Sequence, residues 1–205
     1  MKDQGILIVI SGPSATGKGT ICKEILKNYQ DLAYSISATT RQPRPGEIHG
    51  VNYWFTPKEK FQEMIAAEEL LEWAEVYGNY YGTPLKHVLE MLNSGKDVIL
   101  EIDPQGALQV KKKFPQGLFI FIVPPSLAEL EKRIHMRDAD SEESIRQRMA
   151  AAVEEIKSAV NYDYVVVNDF VEQAVQKIVT ILQAEYCNVA RNKQLLKKLI
   201  EIGER

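Results

Sequence analysis

The sequence predicts an α/β protein: a doubly wound parallel sheet with helices on both faces and a small inserted unit. Three observations lead there. Short apolar runs recur at positions 6–10, 34–37, 98–102, 118–123 and 164–167. They are continuous rather than alternating, as suits parallel strands buried on both faces. Segments with helical spacing separate most of them, giving the β–α rhythm of a doubly wound core. That rhythm breaks between Ser37 and Gly82, where polar, aromatic, Pro and Gly residues crowd in. This stretch reads as an insertion with its own small sheet and helix.

The elements follow in order. The first run leads into Gly12-Pro13-Ser14-Ala15-Thr16-Gly17-Lys18-Gly19-Thr20 and then a helix with Ile21, Ile25, Leu26 and Tyr29 on one face. Thr56-Pro57-Lys58-Glu59 reads as a capping box with Pro at the first helical position. The helix it opens carries Phe61, Met64, Ile65, Leu70 and Leu71, and Glu72 with them. Thr83-Pro84 opens another through Val88, Leu89 and Leu92, ended by Gly95. Ser126-Leu127-Ala128-Glu129 is a second capping box and Asp140-Ser141-Glu142-Glu143 a third, opening a helix through Ile145 and Met149. A last helix runs from about Glu172 to the end of the chain. Its lysines from Lys193 to Lys198 read as a solvated face.

Strand, glycine-rich turn, helix is the context that a phosphate-binding loop requires. Glycines let backbone N–H groups converge on an anion, and the helix start adds unpaired N–H groups and its positive dipole end. Lys18 would reach the β- and γ-phosphates of a nucleotide. Five fixed residues, each at ~6–7% background frequency, match by chance about once in 10⁶ starts. The usual pattern has Ser or Thr directly after the Lys as a Mg²⁺ ligand. Here Gly19 stands there and Thr20 follows as a candidate ligand; the variant loop resembles those of nucleoside-monophosphate kinases, which implies that Mg²⁺ leans more on nucleotide and water.

Composition narrows the partners. The 205 residues are 45% hydrophobic and 26% charged, with a net charge of -3. That argues against a nucleic-acid polymer held on a broad basic face. No apolar run approaches membrane-spanning length. Cys22 and Cys187 lie far apart with no CxxC pairing, and no signal peptide leads the first strand. A reduced cytoplasmic protein is the expectation. His49, His87 and His135 show no metal-ligand spacing. Oligomeric state is left open.

Other groups invite chemistry. Arg41 and Arg44 sit on a loop constrained by Pro43 and Pro45, two planar forks suited to a monophosphate. Tyr53 and Tyr81 could add hydroxyl donors. Read alone, the arginine pair fits solvated loop residues better. A carboxylate at Glu72 can accept the N1–H and exocyclic amino hydrogens of guanine, a donor pair that adenine lacks. Ser37 and Thr83 could complete the base contact. By itself Glu72 also fits a solvent-facing helix glutamate. Glu101 and Asp103 end a core strand with both carboxylates toward one side, where one can hold Mg²⁺ through water and the other assist guanine recognition. A capped strand end is the lesser alternative.

The run Ser37-Ala38-Thr39-Thr40-Arg41-Gln42-Pro43-Arg44-Pro45-Gly46-Glu47 with Gly50-Val51-Asn52-Tyr53 resembles the signature of guanylate kinases. So do Glu72-Trp73-Ala74-Glu75-Val76-Tyr77-Gly78-Asn79-Tyr80-Tyr81-Gly82-Thr83 and Glu101-Ile102-Asp103-Pro104-Gln105-Gly106. The resemblance covers nearly the whole chain. It implies a P-loop NTPase-like core at 1–36, 94–125 and 161–205, a mixed GMP-binding insertion at 37–93, and a helical lid with flanking helices at 126–160. It assigns Ser37, Arg41, Arg44, Tyr53, Glu72, Tyr81 and Thr83 to GMP, with Glu101 and Asp103 nearby. It assigns Gly12 to Thr20 to the phosphates of ATP, Asn168 to adenine, and Arg133, Arg137 and Arg148 to the lid clamps. Two departures stand out: Glu101 replaces the family's usual Asp, and Met136 and Asp138 flank Arg137 where glycines are common.

The implied reaction moves the γ-phosphoryl of ATP to GMP, giving ADP and GDP with Mg²⁺. The acceptor phosphate has a second pKa near ~6 and is mostly dianionic at neutral pH, so no general base is needed. Lys18, Arg41, Arg133, Arg137 and Arg148 would carry the catalysis through alignment and charge stabilisation. Two other readings start from the same residues: a kinase for another nucleoside monophosphate, or a non-catalytic module with this fold that binds protein partners.

Overall fold

The computed structural model describes residues 4–29, 31–76, 78–137 and 142–203. The first half runs β1 (Leu7–Ser11), α1 (Lys18–Asn28), β2 (Leu32–Tyr34), β3 (Ala38–Thr39), β4 (Trp54–Phe55), α2 (Lys58–Ala66), β5 (Leu70–Val76), β6 (Asn79–Pro84) and α3 (Leu85–Asn93). The second half runs β7 (Asp97–Glu101), α4 (Pro104–Lys113), β8 (Leu118–Val123), α5 (Leu127–Arg137), α6 (Glu142–Lys157), β9 (Tyr164–Val167), α7 (Val171–Tyr186) and α8 (Lys193–Gly203).

The core sheet is parallel with order β2-β7-β1-β8-β9. Period-two alternation divides its side chains between two cores. Ile8 and Ile10 join Ile21 and Ile25 of α1 and Ala174, Ile178 and Leu182 of α7. Leu7 and Val9 join Val88 and Leu92 of α3 and Ala107 and Val110 of α4. Burial on both faces is why the strands read as continuous apolar runs. The doubly wound core is as the sequence predicts.

The insertion forms a mixed sheet, β4-β3-β6-β5, over its own small core of Ala38, Phe61 and Leu70. Here the helix expected to carry Leu70, Leu71 and Glu72 is corrected. It ends at Ala66, Glu68 takes a left-handed φ of 53°, and 70–76 becomes a strand paired antiparallel with β6. Pairing with the Tyr-rich segment outweighed the local helical spacing. Glu72 is therefore a buried strand residue. The expected capping box at Thr56 does not form either. Pro57 is the N-cap, and Thr56 Oγ1 donates to Trp54 O at 2.9 Å. Ser126 does cap, its Oγ accepting from Glu129 N at 3.1 Å. The cap expected from Asp140 and Ser141 lies outside the described residues.

The final helix is two helices. Asn188 Oδ1 accepts from Ala190 N, a local bond that competes with helix continuation and starts a 3₁₀ turn at Val189–Arg191. Arg191 returns to Glu185 at 2.7 Å. Beneath the sheet, buried Asp97 accepts from Ile6 N and from the Tyr186 hydroxyl, tying the end of α7 to β7. The second strand is also earlier than expected, at Leu32–Tyr34, because the chain leaves the core sheet at Ser35 to enter β3. Cys22 is buried and Cys187 exposed, both free thiols. Among the described residues no helix is long and apolar enough to cross a membrane.

Candidate active site

The site lies beyond the C-terminal ends of β1 and β7, the edge where an open α/β sheet binds ligands. After β1 the chain makes a tight loop. Thr16 Oγ1 donates to Pro13 O at 2.9 Å, and Gly17 adopts φ 87° as the N-cap of α1. A Cβ at Gly17 would lie 2.4 Å from Asn168 Nδ2, so the position demands glycine twice over. Lys18 Nζ donates to Gly12 O at 2.6 Å and to Pro13 O at 2.8 Å, which brings the ammonium back over the loop. Ser14 and Thr20 are exposed, and Ala15 packs against the cluster of α5 and α6 formed by Leu130, Ile134, Ile145 and Ala152.

Asn168 joins this loop from the end of β9. Its Nδ2 donates to Thr16 O at 2.7 Å, while its Oδ1 is buried with no hydrogen-bond partner. Arg133 donates from Nη1 to Asn168 O at 3.0 Å and from Nε to Glu129 at 3.0 Å. Arg133 thus stands beside the residue expected at adenine. Arg148 is half-buried on α6. The side chain of Arg137 lies outside the described residues, as does Asp138.

Glu101 and Asp103 stand at the crevice but do different things. Glu101 ends β7, and its Oε2 accepts from Tyr34 OH at 3.0 Å. Its carboxylate lies over Gly19, where a Cβ would come within 3.3 Å of Oε1. Asp103 lies past the strand and caps α4, accepting from Gly106 N at 2.7 Å. Burial pushes the Tyr34 phenol pKa up, and the Glu101 charge pushes it further. Half-buried Glu155 is also raised by burial, with Lys18 opposing and Asp103 adding.

The insertion supplies two more groups. In one, Pro45 and Gly46 (φ 85°) make a turn closed by Glu47 N donating to Arg44 O at 3.0 Å. Glu47 folds back, taking Arg41 Nη2 at 2.8 Å and Arg44 N at 2.7 Å. Arg41 lies 5.5 Å from the Tyr53 ring centroid, which is 6.0 Å from that of Tyr81. The hydrogen bond to Glu47 is the main cause raising the Arg41 pKa. Arg44 is exposed. In the other group, buried Glu72 Oε1 accepts from Thr83 Oγ1 at 2.6 Å. Burial pushes the Glu72 carboxyl up to about 7; the Thr83 hydroxyl opposes this and Asp103 adds to it. Ser37 is half-buried at the start of β3, with its carbonyl accepting from Trp54 N at 2.9 Å.

The expected residues fall into several linked groups: Asn168 and Arg133 join the loop, Glu101 stands over Gly19, Arg41 lies near Tyr53 and Tyr81, and Glu72 meets Thr83 and Gly106. Sequence reasoning missed Tyr34 and Glu47. The Pro45-Gly46 turn signal could have exposed Glu47, whereas Tyr34 gave no local signal and meets Glu101 across 67 residues.

Comparisons with known proteins agree with this arrangement. A family model described as guanylate kinase matches residues 4–185. The guanylate kinase of Caldanaerobacter subterraneus subsp. tengcongensis is 56% identical over 98% of both chains. That of Halalkalibacterium halodurans is 54% identical over 98% of both. Among solved structures, guanylate kinase from Anaplasma phagocytophilum matches with TM-score 0.79 and 33% identity, covering 97% of this chain and 96% of its own. With its phosphate loop, arginine-bearing insertion and buried Glu72 on a doubly wound core, the chain belongs to the guanylate kinase family.

Proposed function

We propose that this chain transfers the γ-phosphoryl of ATP to GMP, releasing ADP and GDP. The observation that carries the base choice is Glu72: a carboxylate buried to 4% exposure, aligned by Thr83 at 2.6 Å, against Gly106 in the turn of α4 that Asp103 caps. An anionic acceptor held in an apolar wall favours a ligand edge with two N–H donors and leaves an edge without them unpaired, which is costly.

The chain's residues then divide the work. The loop from Gly12 to Thr20 binds the ATP phosphates, and Lys18 offsets charge on the transferring group. Asn168 offers its unpaired Oδ1 to the adenine side, with Arg133 behind it. Arg41, Arg44, Tyr53 and Tyr81 hold the GMP phosphate in line, while Ser37, Thr83 and Glu72 orient the base. Arg137 and Arg148 come from the lid at 126–160, whose closure over the insertion at 37–93 would exclude water.

The residues present suit Mg²⁺. Two carboxylates, Glu101 and Asp103, offer hard oxygen donors, and Glu101 fills the space over Gly19 where the usual loop has its hydroxyl ligand. Among the described residues no cluster of three His, Cys, Asp or Glu side chains forms a closed metal cage. The fit is to a cation held mostly by nucleotide and water, with Asp103 and Glu101 acting through water and Thr20 beside them. When bound, Mg²⁺ offsets charge on the β- and γ-phosphates.

The test is ADP formation from Mg·ATP with GMP, AMP, UMP or dTMP offered separately. Turnover with GMP alone is expected. Turnover with another acceptor would overturn the Glu72 reading, and folded protein inactive with all four would favour a binding module.

A further inference from the structure

Strand β5 is the edge of the inserted sheet and pairs only with β6. Its outer side presents backbone donors and acceptors with no strand to meet them. A side chain of the core meets them instead. Gln109 on α4 accepts from Trp73 N at 3.2 Å through Oε1 and donates to Trp73 O at 2.7 Å through Nε2. A primary amide presents an acceptor and a donor side by side, as one residue of a paired strand does. Gln109 is thus a one-residue stand-in for the missing neighbour.

The rest of α4 extends the contact. Lys113, one turn later, donates from Nζ to Leu70 O at 3.0 Å. Gly106, one turn earlier, lies against Glu72, where a Cβ would come within 2.5 Å of Oε2. Positions 106, 109 and 113 share one helical face. On its other side α4 buries Ala107 and Val110 in the core that contains Leu7 and Val9 of β1. One helix therefore connects the strand bearing Glu72 to the sheet bearing the phosphate loop.

We propose that Gln109 is a positioning residue for the acceptor nucleotide: its amide locks β5 to α4 and so fixes Glu72 relative to the phosphate loop. The inference rests on Glu72 as the guanine acceptor. Gly106 keeps the carboxylate close to the helix, while Gln109 prevents the strand from sliding along it. A Glu72 free to shift with β5 must be ordered when GMP binds, so loss of the brace should weaken GMP binding before it slows the step itself.

The experiment uses the full chain with Gln109→Met and Gln109→Glu. The first keeps length and removes both bonds; the second keeps one acceptor but turns an oxygen toward Trp73 O. Steady-state KM is measured for GMP and for ATP separately, alongside thermal melting and hydrogen exchange at the Trp73 amide. Exchange at Trp73 should speed up. KM for GMP should rise about five- to tenfold, as for loss of two modest hydrogen bonds. KM for ATP should stay within about twofold, and kcat at saturating GMP should fall by less than about threefold, because bound GMP restores the register. Gln109→Glu should be the more impaired. An unchanged KM for GMP despite faster Trp73 exchange would reduce Gln109 to a cover for an edge. Parallel rises in both KM values with a lower melting point would make it a general stability contact. Failure of the Glu72 reading is separable, because it would show as loss of GMP selectivity in the unmodified protein.

Discussion

In the proposed reaction Lys18 and Glu72 would act on opposite ends. Lys18 already touches the loop carbonyls at 2.6 and 2.8 Å, so its ammonium is placed before nucleotide arrives. Lys18→Ala should lower kcat about 10²- to 10³-fold with little change in melting temperature; a variant with normal turnover at saturating substrates would remove Lys18 from catalysis. Glu72 carries a pH signature. Its carboxyl keeps a proton to about pH 7, against an ordinary 4.5. Unfolding therefore releases a proton between those values, and Glu72 costs stability as pH rises through that window. Glu72→Gln should be more stable than the parent at pH 8, by about 3 kcal/mol, and equal to it below pH 4.5, as read by denaturant melts at both pH values. If Glu72 accepts from guanine as proposed, guanine needs the ionised form, so kcat/KM for GMP should fall below about pH 7 in the parent. Glu72→Gln should lose that limb, along with most discrimination against AMP.

Among the elements, α4 serves two purposes: Asp103 caps its start by accepting from Gly106 N, and its side braces the edge of β5. Capping and charge can be separated. Asp103→Asn keeps a good N-cap but removes the carboxylate, whereas Asp103→Ala removes both. The Asn variant should melt like the parent yet need a higher Mg²⁺ concentration for half-maximal activity. The Ala variant should also lose about 1 kcal/mol of stability. Equal Mg²⁺ dependence in Asp103→Asn and parent would confine Asp103 to capping. At the other end of the chain, α8 exposes Leu195, Leu199, Ile200 and Ile202. Nothing in the crevice depends on it, so a chain ending at Asn192 should keep its kcat and its KM for GMP.

On the scale of the whole molecule, three contributions meet at one edge: the loop of the core sheet, the inserted sheet braced by α4, and the helices α5 and α6 that pack against Ala15. On the proposed assignment a ligand spanning both nucleotide sites would engage them together. A bisubstrate compound joining adenosine and guanosine through a polyphosphate should raise the melting temperature more than ATP or GMP alone at the same free concentration, since each ligand stabilises by RT ln(1 + [L]/Kd) and the spanning ligand has the smaller Kd. Calorimetric scans with each compound would check it. Stabilisation no greater than with ATP alone would mean that the two sites cannot be filled by one rigid ligand.

The phosphate loop was legible in the sequence because its chemistry is local. Nine consecutive residues set both the turn and the groups that bind, and the apolar run before them announced the strand. The parallel core was legible for a similar reason, since burial on both faces leaves a mark on each strand by itself. Glu72 was identified, but its setting was not. Its helical spacing suggested an exposed helix, and only pairing with β6 made it a buried strand carboxylate with a raised pKa. The Tyr34–Glu101 bond and the Gln109 brace on Trp73 join residues 67 and 36 positions apart. No periodicity records such contacts, because they depend on how two sheets and a helix come to rest against one another. The chain's own order determined which chemistry was available, and the tertiary packing decided which groups are buried, braced and aimed at one another.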